Sequence, residues 1–120
     1  MTRLVTPASS YADIYASFKW RIPKKCNIAA DVCDRHASDP TKVALIHHLP
    51  DRIQKYTFRM IQERANRLAN TLVALGLKQG DRVMINLGQH PVTAFSHVAC
   101  WKAGLISVPT STLSSSMFIS

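Results

Sequence analysis

The chain has 120 residues, 15 Lys+Arg against 7 Asp+Glu for a formal net charge of +8, and 47% hydrophobic residues. That balance suits a globular chain of one domain's length and excludes a disordered polar tail, which would be poorer in apolar residues. Its four glycines (Gly76, Gly80, Gly88, Gly104) never lie closer than four positions apart, and no G-K-[ST] occurs. A G-x-G-x-x-G dinucleotide fingerprint and a Walker phosphate loop are both excluded.

Residues 1–10 are expected to form a flexible lead. From Tyr11 to Trp20, Ile14, Tyr15 and Phe18 share one helical face. Pro23 forbids the helix to continue, because it has no amide hydrogen and its ring restricts Ile22. Asn27 predicts the cap of a second helix running to about Ala37, with Ile28, Val32 and Cys33 on one face and Asp31 near the positive end of its dipole. Asp39-Pro40 marks a turn. Val43 to Ile46 is a short apolar run, residues 49–52 read as a turn, and Ile53 to Thr57 alternates apolar and polar. Together they predict a β-hairpin with a four-residue loop.

The clearest helix follows Thr57 as N-cap. Phe58, Ile61, Ala65, Leu68, Leu72 and Leu75 recur at spacings of three and four, a seam that must be buried. Gly76 suits the left-handed position past the helix end, and Leu77 the hydrophobic contact that goes with it. Gly80-Asp81 turns into a strand, Arg82 to Leu87. Pro91 opens a helix that runs to Ala103, and Gly104 ends it. Leu105 to Val108 is a second strand, closed by Pro109. The 17 residues between these strands make room for a helical crossover, so the pair should be parallel with a right-handed connection. Residues 110–120 hold seven Ser or Thr and follow neither period.

Few residues suggest chemistry. Cys26, Cys33 and Cys100 contain no C-x-x-C pair, so reduced thiols in a cytoplasmic chain are expected. Cys26, Cys33 and His36 have a C-x6-C-x2-H spacing, but zinc sites usually pair ligands two to four residues apart and need four of them. A cysteine beside a surface histidine is the plainer reading. His47 and His48 alternate faces on a strand and cannot share one site. His97, on an apolar helix, reads as a packed residue. Lys19, Arg21, Lys24 and Lys25 surround Trp20, a pattern that could stack a base amid phosphates, yet no nucleic-acid motif encloses it. Arg59, Glu63 and Arg67 read as a solvated stripe, with Glu63 well placed for Arg67. No G-x-S-x-G and no carboxylate pair stands out. The residues themselves therefore nominate no catalytic, cofactor-binding or metal site. No run reaches the ~18 apolar residues of a membrane span.

Residues 56–109 carry a more specific pattern: Tyr56-Thr57-Phe58, then Ala65-Asn66-Arg67-Leu68-Ala69, Leu75-Gly76-Leu77, Gly80-Asp81-Arg82-Val83, and Trp101-Lys102-Ala103-Gly104 leading to Val108-Pro109. In this order the elements resemble the opening of the AMP-forming acyl-CoA synthetases, in the adenylate-forming superfamily. Tyr11 to Ala30 resembles the leader of the acetate and medium-chain branch. Cys26 stands where that family usually has an aromatic. Met60 stands where an acidic residue often supports the helix cap. Gly88-Gln89-His90 replaces a loop that normally contains proline.

The resemblance implies an α/β fold: a partial N-terminal subdomain of the adenylate-forming fold, a β-hairpin plus βαβ with flanking helices. It implies three parts: the lead 1–10, a truncated synthetase portion 11–109, and the unpatterned tail 110–120. The family activates a carboxylic acid with ATP to an acyl-adenylate, from which coenzyme A takes the acyl group. ATP, Mg and coenzyme A are thus implied for the full-length family. The family's catalytic motifs have no matching positions here, so this fragment is expected to bind none of the three and to be inactive alone, as from a truncated or frameshifted reading frame. Its expected partner is the remainder of the synthetase as a separate chain, with no specific nucleic acid. A small basic binding module is the alternative. Parallel strands awaiting a covering layer also predict exposed apolar surface and self-association.

Overall fold

The computed structural model describes residues 10–20 and 23–112. In chain order the elements are α1 (Tyr11–Ser17), α2 (Ile28–Val32), a 3-10 turn (Asp34–His36), β1 (Val43–His48), β2 (Ile53–Thr57), α3 (Phe58–Ala74), β3 (Arg82–Ile85), α4 (Pro91–Lys102) and β4 (Ile106–Pro109). The fold is mixed α/β, with an antiparallel hairpin and a parallel βαβ unit, as expected. Residues 1–9 of the lead, Arg21, Ile22 and residues 113–120 of the tail lie outside the described residues.

α1 is shorter than the apolar pattern suggested. The Ser10 hydroxyl oxygen accepts from the Asp13 N–H at 3.2 Å, and Phe18 has already turned to extended backbone. No residue of α1 is buried.

The second helix departs from expectation in its length and its buried face. Asn27 caps it as predicted, Oδ1 accepting from the Ala29 N–H at 3.0 Å. It ends at Val32, however, and tightens into the 3-10 turn, where the His36 N–H reaches the Cys33 carbonyl. The buried residues are Ala29, Cys33 and Ala37, whereas Ile28 and Val32 are about half exposed, at 51% and 47%. Small side chains win because this segment lies close against α4.

The hairpin pairs β1 with β2 across the loop 49–52, with the Leu49 N–H donating to the Arg52 carbonyl at 2.9 Å. β1 runs two residues beyond the predicted Ile46 and carries a bulge. Val43 pairs with Thr57 and Leu45 with Tyr56, so Ala44 is the extra residue. Two residues then oppose one, and Ala44 and Leu45 both pack on the core that strict alternation would have divided between faces.

α3 begins where Thr57 predicts. The Thr57 Oγ1 accepts from the Met60 N–H at 3.3 Å, so the cap forms without an acidic side chain at position 60. Ile61, Ala65 and Ala69 are buried, and Phe58, Leu68 and Leu72 pack partly. Leu75 does not complete the seam: it is 73% exposed. The chain reverses at Gly76, whose φ is +94°. The Gly76 N–H returns to the Val73 carbonyl at 2.9 Å and the Leu77 N–H to the Leu72 carbonyl at 3.3 Å, the paired bonds of a Schellman cap. Leu77, not Leu75, then packs with Leu72.

β3 stops at Ile85, short of Leu87, and pairs in parallel with β4 from Arg82 opposite Ile106 to Ile85 opposite Pro109. Between them, α4 starts at Pro91 under a cap the sequence did not reveal: the His90 Nδ1 accepts from the Val92 N–H at 3.2 Å. α4 is buried around much of its circumference because α3 and the α2 segment lie against it as well as the parallel pair. One face of that pair packs through Val83 and Ile85 with Leu72, Leu77 and Cys100. On the other face Met84, Ile106 and Val108 are 70%, 47% and 37% exposed.

Candidate functional site

A polar, open cleft of about 510 Å³ lies where the α2 segment, α3 and α4 meet, lined by Asn27, Asp34, Asn66, Asn70 and Lys102 among others. Asn27 works in two directions. While Oδ1 starts α2, Nδ2 donates to the carbonyls of Trp101 at 3.1 Å and Lys102 at 3.4 Å, capping the carbonyl end of α4. The Lys102 Nζ donates to both carboxylate oxygens of Asp34 at 2.6 Å, and the Gln62 Nε2 donates to one of them at 3.0 Å. The Lys102 side chain is only 13% exposed and that of Asp34 32%. The cleft thus holds amides and a self-neutralised ion pair. Its chemistry is that of a joint between helices.

The cysteine–histidine pattern is not assembled into a metal centre. Among the described residues no three His, Cys, Asp or Glu side chains gather where they could hold a metal ion. Cys33 is buried, its Sγ 3.7 Å from the Phe58 carbonyl. Burial, and then the Asp34 carboxylate, push its thiol up, while Lys102 opposes the shift. Cys26 is exposed, with Sγ 3.9 Å from the Asp31 carboxylate. His36 packs on the Phe58 ring at 4.9 Å, and its Nδ1 lies 3.0 Å from the Lys42 Nζ; burial and the Lys42 and Arg35 charges lower its affinity for a proton. His47 and His48 separate as predicted. His47 lies 5.3 Å from the His90 ring, and His48 is exposed. His97 lies 5.9 Å from Trp101.

Of the basic cluster, Lys19, Trp20, Lys24 and Lys25 are exposed, and Trp20 meets Phe18 edge-on at 5.0 Å. Arg21 lies outside the described residues. Arg59, Glu63 and Arg67 are all exposed, as a solvated stripe should be, but Arg59 has a further duty. Arg59 donates from Nε to the Ala37 carbonyl at 3.2 Å and from Nη2 to the Ser38 carbonyl at 3.3 Å, so it clamps the end of the 3-10 turn. Glu63 and Arg67 form no ion pair among those described. Arg64, which the sequence did not mark, lies over both Tyr56 and Phe95, at 5.2 and 5.3 Å. Only the tertiary fold brings those two rings together, at 6.3 Å.

The implied ATP, Mg and coenzyme A do not fit these residues. A triphosphate needs unengaged cations or a cradle of backbone N–H groups. The one cation lining the polar cleft, Lys102, is taken up by Asp34. The glycines with positive φ (Gly76, Gly80 and Gly104) sit at helix ends and a turn. No step of catalysis can be derived from this set.

The family described as "AMP-binding enzyme" matches residues 33–117. The chain belongs to this family. Among curated relatives, the acetyl-coenzyme A synthetase of Desulfatibacillum aliphaticivorans is 36% identical over 91 residues, which cover 73% of this chain and 14% of the relative. That of Bacillus subtilis is 35% identical over 112 residues, covering 83% and 20%. Among solved structures, the fatty acyl-adenylate ligase from L. pneumophila, in complex with acyl adenylate and pyrophosphate, superposes with a TM-score of 0.67 at 27% identity, covering 72% of this chain and 16% of that one. The N-terminal subdomain of Klebsiella oxytoca NpsA superposes with a TM-score of 0.58 at 29% identity, covering 71% and 20%. The chain therefore spans about a fifth or less of these proteins. The chain thus shares the α/β scaffold of this family and matches only a small part of the length of these synthetases and ligases.

Proposed function

We propose that these residues are the structural opening of an enzyme that activates a carboxylic acid with ATP and passes the acyl group to coenzyme A, and that they do not catalyse this alone. The family match over residues 33–117 carries the reading, together with the small share of each relative that the chain spans. In this reading residues 11–109 form the synthetase portion, and the protein works in the cytoplasm. No helix among the described residues is long and apolar enough to cross a membrane. The cleft between α2, α3 and α4 supports the same reading, since its one lysine is spent on Asp34 and Asn27 on joining α2 to α4. ATP, Mg and coenzyme A would be held by the remainder of the enzyme.

The test is acetate-dependent ATP–pyrophosphate exchange by the purified 120-residue chain. Exchange at background is expected, and exchange clearly above it would refute the inactivity.

A second reading rests on the exposed Trp20 among Lys19, Lys24 and Lys25. A basic module would bind DNA or anionic vesicles with an affinity that falls as salt rises. No binding at physiological ionic strength removes this reading.

A further inference from the structure

Charge and exposed aromatic rings concentrate in the segment before α2. Residues 1–30 hold five basic residues (Arg3, Lys19, Arg21, Lys24 and Lys25) against one acid, Asp13, and so carry half of the net charge of +8. Within the described part, Tyr11, Tyr15 and Trp20 are 81%, 76% and 77% exposed. On α1, Tyr11, Ile14 and Tyr15 fall at i, i+3 and i+4 and share one side, with the tyrosine rings stacked at 6.3 Å; Asp13 and Ser17 lie on the other side. The chain leaves the helix at Phe18, and Trp20 meets that ring edge-on at 5.0 Å. Lys19, Lys24 and Lys25, close to Trp20 in sequence, are exposed, and none of them is in an ion pair among those described.

This combination matches an anionic bilayer. Tyrosine and tryptophan have an apolar ring and a polar tip, and they settle at the headgroup level. Lysines beside them meet anionic headgroups, each for about a fivefold gain in partitioning. Buried apolar area and electrostatic attraction add in such binding. Nucleic acid fits less well. The tyrosines stand on a helix with no cation, so bases stacked on them would carry their phosphates past Asp13. A second copy of the segment would bring like charges together.

We propose that α1, Trp20 and the neighbouring lysines dock on an anionic lipid surface, with the exposed rings at headgroup depth and the ammonium groups against lipid phosphates. The contact is peripheral: no helix among the described residues is long and apolar enough to cross a membrane. The proposal rests on the second reading above, the basic module, and does not depend on the family's chemistry.

The test measures cosedimentation of the unaltered chain with vesicles of about 7:3 phosphatidylcholine to phosphatidylglycerol at physiological ionic strength. Binding at least tenfold tighter than to pure phosphatidylcholine is expected. In a Trp101→Phe chain, which leaves Trp20 as the one tryptophan, emission should shift to the blue on the same vesicles. Lys24→Gln with Lys25→Gln should weaken binding at least fivefold. Lys55→Gln with Lys78→Gln removes the same charge from exposed sites elsewhere and should change binding less than twofold. Equal losses for the two pairs, equal binding to neutral vesicles, or an unshifted emission from a folded Trp101→Phe chain would overturn the proposal. DNA at equal phosphate concentration separates the two ideas. Tighter binding to DNA than to the vesicles keeps the basic module and removes the lipid surface, whereas binding to neither removes both.

Discussion

Lys102 and Asp34, 68 positions apart in sequence, meet with Nζ 2.6 Å from both carboxylate oxygens and tie the 3-10 turn after α2 to the last turn of α4. Gln62 of α3 donates to the same carboxylate, so three segments converge on one acid. Lys102 belongs to the Trp-Lys-Ala-Gly element on which the family resemblance rests, and this contact gives that element a structural duty.

Lys102→Met should therefore destabilise the chain by about 1–3 kcal/mol, because it strands a carboxylate that is two-thirds buried with one remaining donor. Pairing it with Asp34→Asn should recover part of the loss, since no unpaired charge remains. Urea unfolding of both single variants and the double variant supplies the cycle. Strictly additive losses would mean that the pair contributes nothing as a pair.

Gly76→Ala should cost roughly 1–2 kcal/mol through the torsion alone, because the residue sits at φ +94° and an added Cβ would meet nothing within 4 Å. Gly88→Ala, at a glycine without positive φ and equally open, should change stability by a few tenths of a kcal/mol at most. Thermal melts of the two variants suffice. Equal shifts would mean that the left-handed cap is not the reason for glycine at position 76.

Local rules captured much of this fold, and their failures have definite causes. Thr57, Gly76 and Pro91 each act within a few residues of themselves, so their positions could be read directly. Leu75 was misplaced because periodicity knows nothing of a chain reversal one residue later. Ile28 and Val32 were misplaced because hydrophobicity was weighed above size, whereas a segment pressed against α4 needs the smallest side chains inside. The bulge at Ala44 leaves no mark in an apolar run. The Lys102–Asp34 pair and the position of Arg64 over Tyr56 and Phe95 join distant parts of the chain, and no spacing rule reaches that far. The polar cleft was invisible for the same reason.

The three free thiols should react in an order set by burial. Cys26 is exposed, while Cys33 and Cys100 are buried and have thiols pushed up, chiefly by desolvation. A thiol reagent at neutral pH should titrate one group quickly and two more only on unfolding. The raised values also fix a sign. The folded chain holds these protons more tightly than the unfolded chain does, so the stabilisation is full below the ordinary thiol value of about 8.5 and is lost as pH rises from there through the folded values. Cys33→Ala should flatten the loss. Unfolding free energies at pH 7 to 10 for both proteins measure it, and an unchanged slope would clear Cys33 of any part.

The exposed Met84, Ile106 and Val108 should make the isolated chain bind an apolar dye and associate as its concentration rises. A parallel sheet ordinarily hides both faces, and an uncovered one offers apolar surface and unpaired edge backbone together. Met84→Lys combined with Val108→Lys places charge where side chains already reach solvent, so the fold should survive while dye fluorescence falls severalfold. Lysine in place of Val73, another exposed apolar residue (55%) but on α3, should leave both dye binding and association largely intact. Light scattering after size exclusion, across a hundredfold range of concentration, reads the association. A monomer at every concentration, with a sharp two-state melt and no dye signal, would mean that this face is content in water and needs no layer over it.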